Sequence, residues 1–89
     1  MKSYLIAYTP NERGRGNAAL DDAIKKFPSS WRILDSAWIV KTDWSPRQVR
    51  EHIKPHIDVA DQLLVLEFSG EGAWTGLNDD TVKWLMENL

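Results

Sequence analysis

The chain has 89 residues and a mass of 10.2 kDa, with 43% apolar residues and 11 Lys/Arg against 13 Asp/Glu for a formal net charge of −2. A length like this supports one hydrophobic core, and we read residues 1–89 as a single domain. Zero cysteines exclude disulfide staples, cysteine nucleophiles and thiolate metal sites, and suit a reducing cytoplasm; no run of 18 apolar residues and no leader-like N-terminus argue against membrane spanning and secretion.

The first segment, Lys2 to Thr9, mixes aromatic and branched apolar residues and is halted by Thr9-Pro10-Asn11, the pattern of a buried strand. A polar, Gly-containing loop, Pro10 to Gly16, follows. Asn17 then caps a helix whose Leu20, Ala23, Ile24 and Phe27 recur at helical spacing until Pro28-Ser29-Ser30 stops it. Trp31 to Leu34 and Ala37 to Thr42 are β-rich runs separated only by Asp35-Ser36. They form either a tight hairpin or one bulged strand, and periodicity does not choose.

Ser45-Pro46-Arg47-Gln48 is the sharpest local signal: a Ser cap, Pro at the first helical position, and a Gln three residues after the cap to return the hydrogen bond. The helix it starts presents Val49 and Ile53 and ends near Lys54, because Pro55 has no amide to offer a further turn. Leu63 to Phe68 reads as another buried strand, closed by Ser69-Gly70-Glu71-Gly72. Last, Asn78 caps a helix over about 78–89 with Asp79 and Asp80 in its positive first turn and Val82, Leu85, Met86 and Leu89 on one face.

The order is βαββαβ plus a terminal helix. This predicts an α+β, ferredoxin-like domain: an antiparallel sheet with two helices on one face, and a second face that stacks nucleic-acid bases, packs on the terminal helix or buries itself in a dimer. Because a domain this short buries only about 60–65% of its unfolded surface, a dimer interface is a natural supplement.

Charge is unevenly spread. Residues 1–57 carry ten Lys/Arg against six Asp/Glu, whereas residues 58–89 carry Lys83 alone against seven acids. That mild basic excess points only weakly to a nucleic-acid partner. Gly14-Arg15-Gly16-Asn17-Ala18-Ala19 matches a dinucleotide-binding pattern, but polar residues separate it from the strand end and the chain is too short for two βαβαβ halves. The helix start beside Arg13 and Arg15 fits a single phosphate better, with Arg47 as a further phosphate contact. His52 and His56 have the i, i+4 spacing of a metal pair, yet Pro55 between them breaks the shared face, so no metal site is expected. Of five Trp, Trp84 lies off its helix's apolar stripe and Trp74 in a loop; both are expected at a dimer interface.

Tyr4-Leu5-Ile6-Ala7-Tyr8, Ile33-Leu34-Asp35-Ser36-Ala37-Trp38-Ile39-Val40 and Asp61-Gln62-Leu63-Leu64-Val65-Leu66 together resemble the small CRISPR-associated integration-scaffold proteins and their VapD-like relatives. The likeness is strongest with the stand-alone bacterial proteins labelled SinR-like, and it spans about residues 2–68. It implies a ferredoxin-like fold, a homodimer and, in some members, a metal-dependent endonuclease whose key carboxylate follows the Tyr at the end of the first strand. Here that place is Thr9, which carries no charge and is a poor ligand for Mg²⁺. The expected function is therefore a non-catalytic homodimeric binding module that contacts RNA or DNA and needs no cofactor. The alternatives are an Mg²⁺-dependent endoribonuclease, with Asp35 or Glu12 in place of the missing aspartate, and a protein-interaction module without nucleic-acid contact.

Overall fold

The computed structural model describes residues 1–9, 18–57 and 61–89. In chain order these form β1 (Lys2–Tyr8), α1 (Ala18–Lys25), β2 (Ser29–Leu34), β3 (Ala37–Thr42), α2 (Pro46–Ile53), β4 (Leu63–Phe68) and α3 (Asp79–Asn88), with a short 3-10 turn over Lys54–His56. The four strands make one sheet in the order β2-β3-β1-β4, and every pairing is antiparallel. The polar loop, the Asn17 cap, the Gly14–Ala19 pattern up to Asn17, and Glu12, Arg13 and Arg15 lie outside the described residues.

Strand alternation divides the sheet into two faces. On the first, Tyr4, Ile6 and Tyr8 of β1 stand beside Trp38 and Val40 of β3 and pack against Leu20 and Ile24 of α1, Phe27, and Val49 and Ile53 of α2. Leu63 and Val65 of β4 complete this core from its edge. Tyr4 is fully buried, and its hydroxyl donates to the Trp44 carbonyl at 2.6 Å. Burial, with Glu67 across the strand pair as a lesser cause, pushes the Tyr4 phenol above its ordinary range.

On the second face, α3 lies over β2 and β3. The Trp31 indole N–H donates to Thr81 Oγ1 at 2.9 Å, Trp31 and Trp84 stack with centroids 6.1 Å apart, and Lys41 Nζ donates to the Asn88 carbonyl at 2.8 Å. The side of α3 turned inward centres on Thr81 and Leu85, with Trp84 and Asn88 half-buried; of the stripe expected from hydrophobicity Leu85 is buried and Val82 half-buried, whereas Met86 and Leu89 are exposed. Met86 is 72% exposed, and Trp84, expected to be free, is half-buried. Among the described residues no helix covers Leu64 and Leu66 of β4, which pair with Ala7 and Leu5 and are 48% and 49% exposed, although the end of α3 reaches Gly70 just beyond that strand.

Local signals are realised where they were sharpest. Gln48 N donates to Ser45 Oγ at 3.2 Å and Ser45 N to Gln48 Oε1 at 2.8 Å, closing the capping box of α2. Thr81 N donates to Asn78 Oδ1 at 2.8 Å at the start of α3. The β2–β3 connection is a tight hairpin turning at Asp35-Ser36, and β2 also carries a register shift between Arg32 and Leu34. Of the two readings of that segment the hairpin holds, and a single bulged strand through Asp35-Ser36 does not.

Candidate nucleic-acid interface

A cationic surface runs along α2 into the 3-10 turn that follows it. Arg47, Arg50 and Lys54 follow one another at helical spacing and are all exposed. Glu51 sits among them and accepts from Arg50 Nη2 at 2.9 Å. That hydrogen bond, joined by the charges of Arg50, Lys54 and Arg47, holds its carboxyl below the usual range. One acid among three cations leaves the face positive, the sign that attracts phosphate.

The residues leading into α2 build a recess on the side of that helix that bears His52, away from the Arg47/Arg50/Lys54 side. The Thr42 side chain ends β3 on the core side and its Oγ1 accepts from Trp44 N at 3.3 Å, while Tyr4 holds the Trp44 carbonyl, so the backbone under Trp44 is gripped from two sides. The Trp44 ring meets Phe27 at 5.5 Å and His52 at 5.4 Å between centroids, both edge to face. His52 donates from Nε2 to the Ala23 carbonyl at 3.1 Å, tying α2 to α1, and its ring lies 6.4 Å from that of His56. Lys26 and Asp43 stand on the rim of the recess, whose volume is about 300 Å³. The two histidines are therefore engaged in aromatic packing, and the described residues hold no group of three or more His, Cys, Asp or Glu arranged to take a metal ion.

A second constellation lies at the end of the sheet where the resemblance puts a carboxylate. Thr9 N donates to the Gln62 carbonyl at 3.0 Å and Gln62 N donates to Thr9 Oγ1 at 3.0 Å, a reciprocal clamp that continues the β1–β4 ladder by one residue. The Tyr8 amide donates to the Ser36 carbonyl at 3.1 Å, so the hairpin turn bearing the exposed Asp35 reaches the same end. Asp61, adjacent to Gln62, is a further carboxylate there. The sequence shows it only as the start of the Asp61–Leu66 strand pattern, not as a site residue; the β1–β4 register, which pairs Gln62 with Thr9, brings it to this end.

The remaining expected site residues are dispersed. Arg47 is on the cationic face of α2, Trp74 is exposed in the segment between β4 and α3, and Trp84 is stacked on Trp31. The Arg32 guanidinium lies 5.2 Å from the Trp38 ring centre and pairs with Asp21 of α1, which commits that cation to internal contacts. Among the described residues, no helix is long and apolar enough to cross a membrane. No protein-family model, curated protein or solved structure matches the chain.

Proposed function

We propose that this protein is a non-catalytic, homodimeric, ferredoxin-like module of the CRISPR-associated/VapD-like type, binding nucleic acid through the cationic face of α2, with Arg13 and Arg15, outside the described residues, as further phosphate contacts. The sheet order β2-β3-β1-β4 with its two β-α-β crossovers supports the ferredoxin-like reading. The observation that carries the non-catalytic reading is the Thr9–Gln62 clamp. A neutral hydroxyl that already accepts a main-chain hydrogen bond does not fit Mg²⁺, which takes carboxylate oxygens and waters in an octahedral shell. The dimer reading rests on the uncovered half of the second face, where Leu64 and Leu66 offer apolar surface along an edge strand. Trp74 is a further exposed aromatic between β4 and α3, whereas Trp84 is stacked on Trp31 of β2, at the edge of the sheet opposite β4.

Three measurements test this. Sedimentation of the wild-type chain is expected to give the mass of two copies, and Leu64→Glu with Leu66→Glu to give one; a monomeric wild type rejects the dimer. A labelled duplex is expected to bind at ~50 mM salt and to release as salt rises, with Arg47→Ala weakening it. No binding of either a duplex or a single strand under those conditions would leave the protein-interaction module as the surviving reading. Incubation with Mg²⁺ or Mn²⁺ and single- or double-stranded RNA and DNA is expected to leave the substrates intact.

One arrangement favours the endoribonuclease as a second reading: Asp35 and Asp61 both lie at the Thr9 end of the sheet. Metal-dependent cutting that disappears in Asp35→Asn or Asp61→Asn would establish it in place of the first.

A further inference from the structure

We propose that the recess beside Trp44 receives one unstacked base of a single-stranded nucleic acid. The proposal rests on the nucleic-acid reading above and adds to it the form of nucleic acid and the side chain that holds it.

Trp44 is 41% exposed although its ring is flanked by Phe27 and His52, so it presents aromatic surface from a packed position. The Tyr4 hydroxyl and Thr42 Oγ1 already hold its backbone in place, which reduces the ordering cost when a ligand stacks on it. The recess of about 300 Å³ has room for about ten waters, the scale of one purine or pyrimidine. A base inside a duplex is stacked between its neighbours and does not reach such a recess, whereas single strands offer theirs to aromatic side chains.

The charges around it have the matching signs. Lys26, on the rim, is the cation placed to meet a phosphate next to the base held there, and Arg47 lies three residues beyond Trp44 at the start of α2. Asp43 is the acid on the same rim. It is 3.8 Å from the N-terminal ammonium, and its carboxylate accepts hydrogen bonds of the kind an exocyclic amino group donates. A ligand with a flat ring, an amino-bearing edge and an anionic tail answers all three features.

The test uses the full chain and a short fluorescein-labelled strand of mixed sequence, free or in duplex, with anisotropy read at ~50 mM salt. The wild type is expected to bind the single strand more tightly than the duplex. Trp44→Leu, which keeps apolar bulk but removes the stacking surface, is expected to weaken single-strand binding ~5-fold or more, with Trp44→Phe within ~3-fold of wild type. The single strand should also quench tryptophan emission in the wild type and not in Trp44→Phe, a readout that stands even if Trp44→Leu fails to fold. Unchanged affinity in a folded Trp44→Leu, equal quenching in Trp44→Phe, or tighter binding to the duplex each overturns the proposal. If binding is still lost in Arg47→Ala/Arg50→Ala, those results leave the broader nucleic-acid reading intact. Failure of the wild type to bind either form overturns both.

Discussion

The two faces of the sheet are covered by different means. On the first, α1 and α2 lie within the βαββαβ succession and close over Tyr4, Ile6, Tyr8, Trp38 and Val40, so that the large side chains there are buried. On the second, a single helix beyond the last strand covers β2 and β3 through the buried Leu85, an indole hydrogen bond, a ring stack and a lysine contact, leaving Leu64 and Leu66 of β4 about half exposed. Coverage by crossover helices follows from connectivity. Coverage by a terminal helix depends on specific side chains meeting it, and it stops where they stop. The first face therefore holds the stability of the domain, and the second is where surface is left for a partner.

Substitutions on the two faces should separate these roles. The largest effect is expected from Ile53→Ala, which empties a fully buried position under α2 and should cost about 2–5 kcal/mol in urea unfolding. Leu66→Ala on the uncovered half should cost under about 1 kcal/mol when measured on the monomer. Equal losses at the two sites would erase the distinction between the faces. Next, Trp84→Ala removes the ring stacked on Trp31 and should cost about 1.5–3 kcal/mol, the burial value of a large side chain, and loosen α3 before the rest of the chain in hydrogen exchange. Global unfolding without earlier release of α3 would show the terminal helix to be as integral as α1 and α2.

Thr81→Val tests the same contact more finely. It keeps the shape and leaves the Trp31 indole N–H without its acceptor, for an expected loss of about 1 kcal/mol. Ser45→Ala opens the capping box on the first-face side for a similar loss, about 0.5–2 kcal/mol, with no effect on α3 protection. The smallest effect is in alkali. Because burial raises the Tyr4 phenol above 10.0, the folded chain keeps that proton longer than the unfolded one. The resulting stability is complete below the unfolded value and is lost as pH rises through the folded one. The fall in unfolding midpoint above pH 10 should accordingly be shallower in Tyr4→Phe than in wild type; identical slopes would mean that the first face does not hold this phenol protonated.

Reading the sequence succeeded where a signal and its consequence lie within four residues. Ser45 and Gln48 meet across one helical turn, Asn78 meets Thr81 the same way, and Pro55 ends α2 because the missing amide is its own. The order of elements was legible for the same reason, since periodicity is local. The inward side of α3 was not. Hydrophobicity favoured Met86 and Leu89, but the helix turns Thr81 inward because the indole it must satisfy belongs to Trp31, 50 residues earlier. The Trp44 recess was hidden likewise: Trp44, Phe27 and His52 come from three separate segments and share a site only once α1 and α2 pack on the sheet.

By itself, then, the sequence determined the elements, their caps and their order, because hydrogen bonds across one turn and apolar repeats act over short chain distances. Tertiary structure alone decided which half of the second face stays open, that Thr9 is spent on Gln62, and that an exposed tryptophan stands beside a cationic helix. Each of those outcomes depends on partners many residues apart, which only the pairing of β1 with β3 and β4 and the docking of the helices bring together.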